Sequence, residues 1–316
     1  MSLPLTSHYD RAAAIVCIAL LVLAPPACSG PSPPEPPSDR SAPAEASQRS
    51  EAQAQANWCN SENKSGAPRE LAYRIIARYP HRPDGFTQGL LYAGGLLYES
   101  TGLYGQSALQ RYKPGDQQVE TIARLADDRF AEGLAELEGV LYLLTWKSGE
   151  VLRFAPAKKS PPGAPQKTST SAWRRLPSLA IEGEGWGLAS DGELLWNSDG
   201  SAVLTQRRAK DMQIQRKVAV TISGRPVKRL NELEWVNGCI VANVWGSERL
   251  VVIDPQSGIV SHTLSLAAIA KRERATGGGV ANGVALHKDA GHWFVTGKNW
   301  RHVYQIAPQI GQFETP

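Results

Sequence analysis

Three observations predict that this sequence folds as an all-β, five-bladed β-propeller. From residue 70 onward the chain consists of short runs rich in Val, Ile, Leu, Tyr and Trp, punctuated by Gly, Pro, Asp and Asn, with no sustained helical period. One strand plan recurs five times. A spare strand-like stretch, LAYRIIARY at 71–79, precedes the first copy.

Each repeat opens on a head residue that is polar or aromatic, often followed by glycine and an apolar residue. A turn, a second strand ending in polar or aromatic groups, and a third strand follow. The heads are Gln88 (QGLLYAGGLLYEST), Glu132 (EGLAELEGVLYLLTW), Trp186 (WGLASDGELLWNS), Glu232 (ELEWVNGCIVANVW) and Asn282 (NGVALHKDAGHWFVTGKNW), spaced 44 to 54 residues apart. A four-stranded propeller blade needs about 40–50 residues. The widest gap holds AKKSPPGAPQKTSTSAW at 157–173, which reads as an exposed insertion. The spare strand is expected to complete the last blade and close the ring, leaving only short protected edges.

In a propeller the first strand of every blade lines the central channel, so the heads converge. Gln88, Glu132, Trp186, Asn231 or Glu232, and Asn282 are expected to form a ring. The second strands add Glu99, Trp146, Asn197, Trp245 and Lys298 at their ends. Amides, a carboxylate, indoles and one lysine at a channel mouth have the makings of a pocket with an apolar wall and a few convergent polar groups.

Ahead of the propeller, residues 12–24 (AAAIVCIALLVLA) follow Arg11 and suit the core of a secretory signal, being short for a bilayer span. The expected organisation is a signal at 1–28, a Pro/Ser/Ala-rich tether at 29–68 too poor in large apolar residues to order, and the propeller at 69–310. The run ends in PPACSG, which leaves two readings: lipid attachment at Cys28, the chain's one expected link to a membrane, or ordinary cleavage nearby. Export would place the chain in the periplasm or envelope, or outside the cell. Beyond the signal lie Cys59 and Cys239, either disulfide-bonded in an oxidising compartment or unpaired.

The formal charge is +4, and the basic residues clustered between 207 and 229 lack a stacking aromatic, so no nucleic-acid partner is expected. The six histidines show no metal-ligand spacing, no nucleophile-elbow motif occurs, and Gly277 to Gly279 precede a strand and not a helix. Neither a metal nor any other cofactor is expected. Asp191, Asp199 and Asp254 sit in turn contexts that suit bonds to nearby backbone amides.

The sequence resembles the plant and bacterial glutamine cyclotransferase family from Tyr79 to Ile306. FTQGL at 86–90, YESTGLYGQS at 98–107, EGLA at 132–135, LTW at 144–146, GEGWGL at 183–188 and SDGS at 198–201 carry the match. So do PVKRLNELEWVNG at 226–238, ANVW at 242–245, IDP at 253–255 and FVTGKNW at 294–300. Trp196, Arg301 and the 157–173 insertion depart from the family pattern.

The resemblance implies a metal-independent five-bladed propeller that converts the N-terminal glutamine of peptides or proteins to pyroglutamate, releasing ammonia. It places Phe86, Gln88, Glu132, Trp146, Trp186, Asn231, Trp245 and Lys298 at the family's pocket positions. Glu132 then suits a proton carrier, and the three tryptophans suit walls that hold the glutamine folded. Gln88, Asn231 and Lys298 are candidate donors to the oxyanion, with the choice among them open. Glu184, Glu232 and Glu234 are read as structural. A monomer is expected, and the rival reading is a non-catalytic envelope propeller that binds peptides or sugars.

Overall fold

The computed structural model describes residues 58–59, 67–82, 85–116, 118–157 and 172–310. The expected signal with Cys28, most of the tether and most of the insertion lie outside the described residues.

Five four-stranded antiparallel blades, A to E in chain order, form the molecule. Blade A contains β3 (Thr87–Ala93), β4 (Leu96–Thr101), β5 (Ala108–Tyr112) and β6 (Glu120–Arg124). Blade B contains β7 (Ala131–Leu137), β8 (Val140–Thr145), β9 (Glu150–Pro156) and β10 (Trp173–Ala180). Blade C contains β11 (Leu188–Ser190), β12 (Leu195–Asn197), β13 (Val203–Arg207) and β14 (Ile214–Ala219). A hairpin of β15 (Thr221–Ile222) and β16 (Arg225–Pro226) leads to blade D, made of β17 (Leu230–Val236), β18 (Cys239–Val244), β19 (Arg249–Ile253) and β20 (Val260–Ser265). Helix α1 (Ala267–Arg274) precedes blade E, where β21 (Ala281–His287), β22 (His292–Gly297) and β23 (His302–Pro308) pair with the N-terminal β2 (Tyr73–Pro80).

The expected ring closure is therefore present, with Tyr73 opposite Pro308 and Pro80 opposite His302. One strand was not expected: β1 (Arg69–Glu70), two residues long, adds in parallel to the outer edge of blade D.

Period-two patterning explains the packing. Side chains alternate across a strand, and a propeller blade is covered on both faces, so both sets are apolar. On β8, Leu141 and Leu143 enter the cluster between blades A and B, while Tyr142 and Leu144 enter the one between B and C. Val284 and Leu286 of β21 face blade D, and Ala285 faces blade A. Five such clusters fill the five seams. Each fully buried Leu or Val contributes roughly 1.5–3 kcal/mol relative to exposure.

At the axis the inner strands crowd. The position after the head is Gly89, Gly133, Gly187 and Gly283 in blades A, B, C and E. A Cβ on Gly89 would meet the Leu134 nitrogen at 2.6 Å, so neighbouring backbones approach too closely for any side chain there. Blade D departs from this pattern: its head is Asn231, not Glu232, and Glu232 stands at the position the glycines take in the other blades. Its fully buried carboxyl accepts the backbone N–H groups of Leu90 at 3.3 Å and Val284 at 2.8 Å, tying blades A and E to D across the axis. Burial, reinforced by Glu234, pushes the Glu232 carboxyl well above the usual carboxylate range. The structural reading of Glu232 agrees with this placement.

The A–E seam carries a buried polar latch. Glu99 accepts from Thr87 Oγ1 at 2.6 Å and Tyr112 Oη at 3.0 Å, and its two oxygens lie 3.1 and 3.0 Å from His81 Nε2. His81 Nδ1 sits 2.9 Å from the Trp300 carbonyl. Burial alone would lower the His81 pKa, but Glu99 lifts it above the ordinary histidine value, and His81 with the neighbouring hydroxyls holds Glu99 below the usual range against its own burial. On the D side, a disulfide joins Cys59 to Cys239, and Trp58 Nε1 donates to the Val236 carbonyl at 3.3 Å. The paired alternative for the two cysteines is thus the one formed.

The turn aspartates behave as expected. Asp191 accepts the Glu193 and Leu194 amides, Asp199 that of Ser201, and Asp254 that of Gln256. The basic residues at 207–229 do not share one solvated face. Arg207 is buried and donates to Asn197 Oδ1 at 2.6 Å, Arg208 pairs with Asp211, and Arg216 lies over Trp196.

The latch predicts a pH window for stability. The His81 contribution is full below the unfolded histidine pKa and lost as pH rises through the raised folded value. The Glu99 contribution is full above the unfolded carboxylate pKa and lost as pH falls through the lowered folded value. Glu99→Gln should cost about 3–5 kcal/mol near neutral pH, because it leaves His81 buried without its charge partner. Denaturant unfolding checks this, and a native midpoint for the variant would refute the latch.

Candidate active site

Four of the five inner strands carry a register shift at the head, between Thr87 and Gly89, Ala131 and Leu134, Leu230 and Leu233, and Ala281 and Val284, whereas β11 of blade C pairs in regular register. A bulge of this kind re-aims a side chain out of the pleat. Here it turns Gln88, Glu132, Asn231 and Asn282 out of the seam-packing pattern, and all four are at least 95% buried. Polar bonds at the seams fix the tier: Ser100 Oγ donates to the Glu132 carbonyl, Gly133 N to the Trp186 carbonyl at 2.6 Å, and Ser198 Oγ to the Asn231 carbonyl at 2.7 Å. Gly283 N donates to Asn243 Oδ1 at 3.0 Å, and Asn282 Nδ2 to the Thr87 carbonyl at 3.0 Å.

Three of these heads form a directed chain. Asn282 Nδ2 donates to Gln88 Oε1 at 3.4 Å, which orients the amide so that Gln88 Nε2 donates to Glu132 Oε1 at 2.7 Å. Burial pushes the Glu132 carboxyl well above the usual range. Lys298 pulls it partly back, and Glu184 adds to the rise. Burial likewise lowers Lys298 to about 8, against the pull of Glu132. The lysine is fixed by its backbone: Lys298 N donates to the Val280 carbonyl, its own carbonyl accepts from Gly279 N, and Nζ stands 4.7 Å from the centre of the Phe86 ring.

Aromatic side chains surround this polar floor. Trp146 meets Phe130 edge-on at 5.5 Å, and Phe130 meets Phe86 at 6.2 Å and the exposed Tyr104 at 5.4 Å. Across the mouth, Trp186 meets Trp245 at 6.2 Å. Glu184 Oε2 accepts from both Trp146 Nε1 at 2.8 Å and Trp186 Nε1 at 2.9 Å.

Contacts thus link Phe86, Gln88, Glu132, Trp146, Trp186 and Lys298, with Trp245 against Trp186 and Asn231 joined to Trp186 by Ser198, whose hydroxyl donates to the Asn231 carbonyl and whose carbonyl accepts from Trp186 N. Two second-strand residues expected at the mouth are elsewhere. Glu99 belongs to the His81 latch, and Asn197 is held by Arg207. Phe130 and Glu184 were not among the site residues selected from the sequence, and Asn282, expected in the ring of heads, was given no role there. A signal existed for the first two, because they stand two residues before the heads Glu132 and Trp186, as Phe86 does before Gln88. Among the described residues no three His, Cys, Asp or Glu side chains group as a metal site.

The family model for glutamine cyclotransferase matches residues 47–307. A glutaminyl-peptide cyclotransferase of Arabidopsis thaliana is 35% identical over 251 residues, which cover 77% of this chain and 74% of the relative. The crystal structure of Myxococcus xanthus glutaminyl cyclase superposes with a TM-score of 0.66 at 30% identity, covering 76% of this chain and 98% of that one.

The charge arrangement makes a prediction independent of any reaction. Lys298→Ala removes the cation that lowers Glu132, so the residue-132 carboxyl should stay protonated to higher pH than in the native chain. Infrared difference titration, with Glu132→Gln identifying the band, reads this directly. An unshifted titration would show that the two groups do not sense each other.

Proposed function

The chain belongs to the glutamine cyclotransferase family and acts on peptides with N-terminal glutamine, closing it to pyroglutamate with loss of ammonia; we propose that Glu132 carries the proton this reaction moves. The observation that carries the mechanism is the Gln88–Glu132 hydrogen bond at 2.7 Å within a buried tier that also senses Lys298. Cyclisation needs a neutral α-amine to attack the γ-carbonyl carbon of its own side chain. As that C–N bond forms, the amine loses a proton, the carbonyl oxygen becomes an oxyanion, and the amide nitrogen must gain a proton before its C–N bond breaks.

Glu132 as carboxylate takes the proton from the attacking nitrogen and returns it to the leaving one. Its burial-raised pKa suits this exchange, since proton transfer is most efficient when the carrier titrates near the working pH. Gln88 directs an N–H at Glu132, so its role is to orient the carboxyl, which leaves Lys298 and Asn231 as donors to the oxyanion. Each such donor is worth roughly 3 kcal/mol. The tryptophan walls hold the side chain curled onto its own amine, converting a floppy encounter into a preset geometry.

The reading extends to location. The apolar run at 12–24, the PPACSG segment and the Cys59–Cys239 disulfide support export to an oxidising compartment, with the propeller acting as a monomer on a tether, lipid-held where Cys28 is acylated.

Glu132→Gln keeps the side-chain shape and cannot carry a proton. It should lower kcat by about 10²–10⁴-fold while the melting profile stays native, read as ammonia release and pyroglutamate formation from a short glutaminyl peptide. Native turnover in that variant would remove Glu132 from the mechanism. Turnover should also survive metal chelators, and potent inhibition by them would put a metal into the reaction.

A further inference from the structure

The residue two places before each head forms a second tier above the first: Phe86, Phe130, Glu184, Arg229 and Val280 in blades A to E. Four of these share one backbone device. Their carbonyls accept from the residue at the tip of the second strand, Phe86 from Gly102, Phe130 from Trp146, Arg229 from Trp245 and Val280 from Lys298. The upper tier therefore sets the main-chain positions of two wall tryptophans and the lysine. Its side chains at blades A and B are phenylalanines that pack edge-on, whereas at blade C the place is taken by a carboxylate.

That carboxylate is committed in a specific way. A single oxygen, Glu184 Oε2, accepts both indole N–H groups, from Trp146 on blade B and Trp186 at the head of blade C. Two rings on different blades are thereby fixed against one anion, which is half-buried between them. An indole can donate but not accept, so each ring's free rotation is restricted by the one polar contact it can make. Hydrogen bonds to an ionised acceptor are about twice as strong as neutral ones. The same carboxylate lies close enough to Glu132 to add to the rise in its pKa. Other charges facing this part of the mouth sit further out on the walls: Lys147 stacks on Trp146 at 4.0 Å and Arg229 on Trp245 at 5.3 Å. Lys298 is the cation that acts on Glu132, against the effect of Glu184.

We propose that Glu184 is a positioning residue of this site, clamping the Trp146 and Trp186 walls through one oxygen and holding a negative charge beside the proton carrier. This replaces the structural reading of Glu184 drawn from the sequence. It rests on the pyroglutamate-forming reaction for its kinetic consequences but not for the clamp itself.

The two halves of the role separate by mutation. In Glu184→Gln the amide oxygen can still accept both indole N–H groups, but the charge is gone. KM should stay within about twofold, and the acidic limb of the activity profile should move to lower pH, since removing an anion makes Glu132 easier to ionise. In Glu184→Ala both indoles lose their acceptor, and kcat/KM should fall by roughly 10²-fold through misplaced walls. The tryptophan Raman band that reports indole N–H bonding should shift fully in Glu184→Ala and only partly in Glu184→Gln, where a neutral oxygen replaces the charged acceptor.

Native kcat/KM and an unshifted profile in both variants would overturn the assignment. An equal, pH-independent loss of turnover in both would also overturn it, because it would make the carboxylate a reactant and not a clamp. The Raman comparison needs no turnover: a native protein that fails to cyclise, with the band shifting as expected, would sink the reaction and leave the clamp standing. An unshifted band in Glu184→Ala would sink the clamp itself.

Discussion

Five inner strands have to meet around one axis, and the space there admits backbone but almost no side chain. The chain meets this constraint with a glycine after four of its five heads and a register shift at four, the two coinciding in blades A, B and E. The two devices act together. Glycine lets neighbouring strands touch, and the shift turns the preceding side chain away from the seam packing. A polar tier at the axis is thus a product of the same crowding that lets the ring close, and a neighbouring blade holds Gln88, Glu132 and Asn231 by their carbonyls. Such support from several rigid elements is what a reacting group requires to keep its geometry.

The fifth position shows what the alternative costs. Glu232 stands where the other blades place glycine, and its carboxyl is absorbed entirely by backbone N–H groups of two other blades. Glu132, two blades earlier in the same tier that bears Asn231, faces a different company: an amide donor, a lysine and a second carboxylate. Both carboxyls are raised by burial, yet only Glu132 has a cation poised against it and an aromatic-walled opening above. Environment, not residue type, separates the buried plug from the carboxyl proposed as proton carrier.

Much of this was legible in the sequence because the heads break the apolar alternation around them. Gln88, Glu132, Trp186 and Asn282 each precede a glycine, a spacing that recurs and cannot be produced by an ordinary strand. The outer strands were not legible: β6, β10 and β14 are largely polar and half-exposed, so their residues carry no hydrophobic period to read. Glu99 and Asn197 were misplaced for a related reason. Their spacing puts them at the ends of second strands, but direction was decided by His81 and Arg207, partners supplied by other strands. The two indole bonds of Glu184 were not legible because its neighbours Gly183, Gly185 and Gly187 suggest a loop, and the tryptophans it reaches lie on two blades.

The central claim is that the glutamine side chain reacts inside the axial pocket, between the tryptophan walls and against Glu132. The most direct test is a crystal structure of the Glu132→Gln chain soaked with a peptide bearing N-terminal glutamine. The account predicts the glutamine curled between Trp146, Trp186 and Trp245, its amine facing residue 132 and its γ-carbonyl oxygen within hydrogen-bonding reach of Lys298 or Asn231. A peptide lying across the rim with its glutamine outside the pocket would contradict it.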